Sequence, residues 1–315
     1  MRSRLLGLLL HRVTLTYLLV FGLWVVAGQV RPGFSSYGHL RYLLELAAVT
    51  GIAAAGQTLV VIAAGIDLSV ASVITFAAMI LPLVSAAWDP TGLAGALLVL
   101  LLGAGIGLVN GLGIVLLRVH PLILTLATAT VLQGALVLLA GGSAVPTTNP
   151  TVVALANTRP LGVPSTIVTW IVVAALVLFL LHRTVLGAWL YAIGTNERAS
   201  RLAGVDVAGA NLAIYAVSGA CSGLAGLLLL GMNRQGYVGI GEPYLLGSIA
   251  AVVLGGTSIL GGRGTYLGTV AGAILLVTIT ALITVVNASA GLRSVLFGSL
   301  ILGLLLVSGR EREAR

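Results

Sequence analysis

Residues 46–88 read LAAVTGIAAAGQTLVVIAAGIDLSVASVITFAAMILPLVSAAW, and a single charge, Asp67, divides them into two runs of 21 uncharged residues. A helix of about 20 apolar residues crosses about 30 Å of hydrocarbon. Each half of this stretch is therefore long enough to span a bilayer, and the joint between them, Gly65-Ile66-Asp67-Leu68-Ser69-Val70-Ala71-Ser72, is where the first helix must stop and the second begin.

Working outward, the same ruler finds further charge-free runs at 13–30, 90–117, 119–158, 160–182, 207–233, 243–262, 264–292 and 294–309, ten in all. Within 119–158 the tail from Gly141 to Pro150 is too rich in turn formers to be helix, which leaves a span at 121–140. The run at 13–30 follows basic residues like a signal peptide, but it exceeds the usual h-region and no A-x-A site follows, so a retained anchor is expected. The segment 31–45, with Tyr and Arg, reads as interfacial.

Composition says the same. Of 315 residues 59% are apolar and 8% charged, with mean hydropathy +1.15, whereas a soluble domain needs about 25% charged residues to wet its surface. The expected fold is an all-α polytopic integral membrane protein of about ten transmembrane helices, several of them broken, in contact with membrane lipid. It forms one transmembrane domain over residues 1–315.

The basic residues set the orientation. With the N-terminus inside, eleven arginines fall on the cytoplasmic side (Arg2, Arg4, Arg12, Arg118, Arg183, Arg198, Arg201, Arg263, Arg310, Arg312, Arg315) and five outside (Arg31, Arg41, Arg159, Arg234, Arg293). That imbalance has the sign of the positive-inside rule. Segments 1–12 and 309–315 are then cytoplasmic ends, and 183–206 is a cytoplasmic loop.

Several function classes drop out. All 16 basic residues are Arg, and a phosphate-binding loop needs a Lys, so if nucleotide drives this protein another chain binds it. Cys221 is the lone cysteine, and no metal site is expected. The net charge of +8 is scattered in ones and twos rather than gathered in a nucleic-acid patch. His11, His39, His120 and His182 fall at the edges of the runs, so no buried base serves an intramembrane hydrolase, and an enzyme is not expected. Only Asp67 lies between two spans without other charges, too little for an ion-coupled carrier acting alone.

Three motifs remain. In the joint around Asp67, Gly65 permits a turn, while Asp67 and Ser69 either cap the next helix or line a route along a broken helix. The segment from Gly255 to Gly264, with Gly255, Gly256, Gly261 and Gly262 around Thr257 and Ser258, reads as a re-entrant turn or helix break. In the longest polar insertion, Asn196 can cap a short helix bearing Glu197, Arg198 and Arg201 and closed by Gly204. Small residues four apart, at Gly103, Gly107 and Gly111, at Gly219 and Gly223, and at Gly268 and Gly272, suit close helix packing.

Together these motifs resemble the permease subunits of bacterial ABC importers for simple sugars, the ribose, xylose, galactose and arabinose group within the branched-chain amino acid and sugar permease superfamily. The likeness also rests on Leu161-Gly162-Val163-Pro164, on the stretch Gly194 to Val205 and on the run Ile249 to Ser258; it covers about residues 40–308. Where such permeases often carry an acid after a Gly-Tyr pair, this chain has Glu242-Pro243-Tyr244-Leu245. The resemblance implies a multi-pass protein of the bacterial inner membrane that pairs with a second permease copy or paralogue, a cytosolic ATPase that binds ATP and Mg, and an extracytoplasmic sugar-binding protein. It implies no cofactor in this chain. It assigns ATPase coupling to Gly194, Asn196, Glu197, Arg198, Arg201 and Gly204, and a pathway role to Asp67, Ser69, Asn110, Thr125, Gln133, Thr257 and Ser258. Asn110 and Gln133 could equally be interhelical hydrogen-bonding groups. The implied cargo is a monosaccharide; branched-chain amino acids, nucleosides or a sugar-like signal are the alternatives on the same architecture, and a stand-alone transporter is the alternative from another class.

Overall fold

The computed structural model describes residues 2–285 except 86–88, 90 and 142, together with 295, 298 and 299. The chain is helical almost throughout: α1 Arg2–Val30, α2 Tyr37–Ile62, α3 Val70–Ser85, α4 Leu93–Leu117, α5 Pro121–Ala140, α6 Pro150–Asn157, α7 Ser165–Arg183, α8 Val185–Thr195, α9 Glu197–Leu202, α10 Val207–Asn233, α11 Glu242–Leu254 and α12 Tyr266–Val285. Two short strands, β1 Val145–Pro146 and β2 Gln235–Gly236, pair antiparallel, Val145 opposite Gly236. Nine of the ten charge-free runs thus contain a helix, and the run 294–309 lies almost wholly outside the described residues.

Among the described residues six helices, α2, α4, α5, α7, α10 and α12, are long and apolar enough to cross a bilayer. The run 243–262 is not one continuous span as the charge spacing suggests: α11 stops at Leu254 after 13 residues, about 20 Å of helix. The shortfall at α11 has a visible cause: after Leu254 the glycine loop turns back into the bundle, where Gly262 N–H donates to Ile62 O at 2.9 Å. Within its own run α3 is helical from Val70 to Ser85. At the N-terminus the difference runs the other way, since α1 begins at Arg2 and residues 2–12 extend the first apolar helix.

Helix ends follow local chemistry. The Ser36 hydroxyl caps α2 by accepting from His39 N–H at 3.3 Å, and α5 opens with Pro121, whose missing N–H would have been unpaired there anyway. Before α4, Asp89 accepts from the N–H groups of Gly92 and Gly95 at 2.9 and 2.7 Å. These bonds, Gly95 foremost, hold its carboxyl below the usual carboxylate range.

At the centre runs α2, buried from Ala47 to Ile62 and enclosed by α7, α10, α11 and α12. The largest helix contact, α4 on α10, uses the glycine stripes: a side chain at Gly103 or Gly107 would strike the backbone of Gly219 or Tyr215. The third stripe serves a different pair, because Gly268 and Gly272 of α12 meet the backbone of Gly255 and Ala251 beside α11. Hydrocarbon offers helices little hydrophobic reason to associate, so such backbone approach supplies the packing energy.

Candidate translocation pathway and coupling segment

Asp67 stands in the non-helical joint between α2 and α3 and is 1% exposed. One carboxylate oxygen accepts from Ser69 N–H at 2.9 Å and Ser69 O–H at 2.6 Å; the other accepts from the Ser218 hydroxyl of α10 at 2.7 Å. Ser69 Oγ in turn accepts from Asn110 Nδ2 of α4 at 2.9 Å, and Asn110 Oδ1 accepts from Thr128 Oγ1 of α5 at 2.6 Å. Thr125 Oγ1 accepts from Leu68 N–H at 3.0 Å. Gly65 lets the joint pass tightly here: a β-carbon would press on the Tyr215 hydroxyl and Val60.

Of the sequence-derived pathway residues, Asp67, Ser69 and Asn110 therefore form one buried network joining the α2–α3 joint to α4, α5 and α10, and Thr125 separately fastens the same joint to α5 through Leu68 N–H. In this conformation they tie helices together and do not line an open passage. Asp67 does not cap α3: one carboxylate oxygen closes a turn on Ser69, just ahead of that helix, and the other goes to α10. Thr128 and Ser218 complete the network, and nothing in the sequence singles them out. Each is a hydroxyl in an apolar helix, which usually bonds its own backbone four residues back, so only the neighbouring helix reveals its partner.

The other three lie apart. Thr257 and Ser258 sit in the glycine loop after α11, where Ser258 N–H donates to Arg263 O at 2.9 Å. Gln133 stands on the exposed side of α5, its amide 3.4 Å from Glu242 of α11.

The candidate coupling segment is α8, α9 and their junctions. Asn196 Oδ1 accepts from Ala199 N–H at 3.0 Å and starts α9. On its exposed surface Arg201 pairs with Glu197 at 2.8 Å, and Gly204 ends the turn with φ +83°. The base of this segment is not free-standing. Gly262 N–H donates to Ile62 O at 2.9 Å, a side chain at Gly194 would strike both of those groups, and the Tyr191 hydroxyl donates to Gly264 O at 2.9 Å. Gly261 and Gly262, at φ +82° and +71°, make the turn that allows this. The end of α2, the glycine loop and the coupling segment, far apart in sequence, thus share one contact at one end of the bundle.

A bundle of apolar helices, six of them among the described residues long enough to cross a bilayer, around a buried polar network has the architecture of a polytopic membrane protein. The chain belongs to the family described as branched-chain amino acid transport system / permease component, which matches residues 40–307. Among its relatives, the ribose import permease protein RbsC of Escherichia coli K12 is 32% identical over 85% of this chain and 84% of its own length. The protein of that name in Bacillus subtilis 168 is 32% identical over 94% of this chain and 92% of its own. The L-arabinose transport system permease protein AraH of E. coli K12 is 33% identical over 95% and 91%. No solved structure matches. The protein is an ABC-importer permease of the inner membrane.

Proposed function

We propose that this chain is the membrane permease of an ABC importer that carries a neutral monosaccharide, a pentose or hexose, into the cell. Its ten spans leave both termini in the cytoplasm. Two permeases, this chain with a second copy or a paralogue, form the passage; a cytosolic ATPase supplies the work and an extracytoplasmic binding protein delivers the sugar. The observation that carries the reading is the likeness, over most of the chain, to permeases named for ribose and arabinose.

The coupling role goes to Gly194, Asn196, Glu197, Arg198, Arg201 and Gly204. What supports it is mechanical: a charged helix outside the apolar bundle is braced by backbone contacts on Ile62 and Gly262, so a push on α9 is delivered to the end of α2 and to the glycine loop. From the end of α2 it reaches the joint at Asp67 within five residues. Asp67, Ser69, Asn110 and Thr125 then become the latch whose bonds exchange as the passage opens, with Thr257 and Ser258 on the moving loop.

An amino-acid cargo is the second reading, favoured by the family's description. A zwitterion calls for charged partners along the route, and the described interior holds few. Vesicles containing this permease with its ATPase and binding protein should show ATP-dependent uptake of ribose or arabinose and none of leucine. Concentrative uptake by this chain alone, without ATP, would refute the importer mechanism.

A further inference from the structure

The charge ruler leaves Glu242 in a loop, just ahead of the run 243–262, but the folded chain carries it inward. After α10 the segment 234–241 turns back along α3: Gly236 packs on the backbone of Ala78, Gly241 packs on Ala71, and Gly241 N–H donates to Thr75 Oγ1 at 3.1 Å. Along α10, Asp67 lies level with Ser218 and Ile74 with Gly226, so Ala71 lies near residue 223. Glu242 therefore begins α11 about 15 Å short of the end of α10, ten residues at 1.5 Å each.

At that depth its side chain is exposed, with the Gln133 amide of α5 beside it at 3.4 Å. The first turn of a helix favours a carboxylate, and among the described residues no arginine pairs with it. Large apolar side chains cover much of the exposed surface of the spans elsewhere: Leu18 and Phe21 on α1, Leu101 and Val109 on α4, Leu176 and Phe179 on α7. Lipid suits those faces and rejects a carboxylate. The side of the bundle between α5 and α11 must meet water or another polar group.

We propose that the cleft between α5 and α11 is the water-filled side of the permease, entered from the end opposite the coupling segment, and that Glu242 with Gln133 is a hydroxyl-binding station within it. The cargo class, a neutral polyhydroxylated molecule, rests on the sugar reading above. The carboxylate accepts two hydroxyls, the amide both donates and accepts, and Tyr237, 42% exposed on the preceding turn, offers a phenol. The same carboxylate turns anions away, which makes the station selective as well as polar.

The lone cysteine, Cys221, is buried in α10, so single cysteines can be placed against a silent background. With the permease reconstituted in vesicles, a charged methanethiosulfonate reagent should modify Gln133→Cys and Glu242→Cys at least about tenfold faster than Leu176→Cys on α7. In the complete importer, Glu242→Leu should lower sugar uptake about tenfold while ATP hydrolysis persists, and Glu242→Gln should recover most of it, because the amide still accepts a hydroxyl. Equal modification at all three positions, or unchanged uptake by Glu242→Leu, overturns the proposal. Labelling reads water access without any cargo, so its failure counts against the wet cleft alone; a wild-type importer that moves no sugar counts against the reading beneath it.

Discussion

Asp67 is the residue on which the interior turns, because three donors converge on one carboxylate where no solvent competes. Removing an acceptor from a buried group leaves its donors unpaired, at about 1–3 kcal/mol each. Asp67→Ala should therefore strongly lower the unfolding temperature in detergent, and Ser218→Ala, which deletes one donor, should lower it less. If Asp67→Ala melts like the wild type, the network does not hold α10 to the joint. A second residue-scale expectation concerns Gly256, at φ +84°, where a β-branched side chain is strained. Gly256→Val should impair insertion or uptake, and normal uptake by that variant would remove the special role of this turn. Sequence reading named both residues, since a lone charge and a glycine cluster stand out in an apolar chain. It could not name Ser218, because one serine among many carries no sign of which helix it faces.

At the scale of the element, α9, the proposed coupling helix, was legible almost to its boundaries: Asn196, Arg201 and Gly204 are a start signal, a last-turn cation and a stop signal placed within nine residues. Its attachment was not legible, because the groups that brace it are backbone atoms of Ile62 and Gly262. Replacing Glu197 and Arg198 together by Ala should leave the permease inserted and separate ATP hydrolysis from uptake; coupled transport at wild-type rate would exclude this surface as the docking site. Asn196→Ala should weaken the helix by about 1 kcal/mol, the usual loss of a side-chain cap. The cap on α4 has a pH signature. Bonding to N–H groups lowers the Asp89 pKa in the folded state, so its contribution is complete above the ordinary carboxylate pKa and is lost as pH falls through the depressed folded-state value. Asp89→Asn should flatten the acid limb of the stability profile, read as unfolding temperature against pH; an unchanged limb would show that these bonds are immaterial.

Across the whole molecule the arginines of the described residues divide by position. Arg2, Arg4, Arg12, Arg118, Arg183, Arg198, Arg201 and Arg263 lie at the end of the bundle that carries the coupling segment, and Arg31, Arg41, Arg159 and Arg234 lie at the other. On the proposed orientation, which follows the positive-inside rule, the first end is cytoplasmic. Alkaline phosphatase fused after Arg201 should be inactive, and fused after Arg159 active; the reverse pattern would invert the orientation and remove the coupling segment from the reach of an ATPase.

The class of the protein, its apolar runs and the start and stop of α9 were legible in sequence alone, because hydropathy, turn chemistry and the scarcity of charge act over a few neighbouring residues. Tertiary structure alone decided that α11 is a part-length helix, that Asp67 is tied to α10 as well as to the turn before α3, and that Glu242 begins α11 part-way along α10 instead of standing in a loop at its end. Each of these depends on chain doubling back against a distant helix, and the groups that receive it, Ala71, Ala78 and the backbone of Ile62, look in sequence like any other stretch of a membrane span.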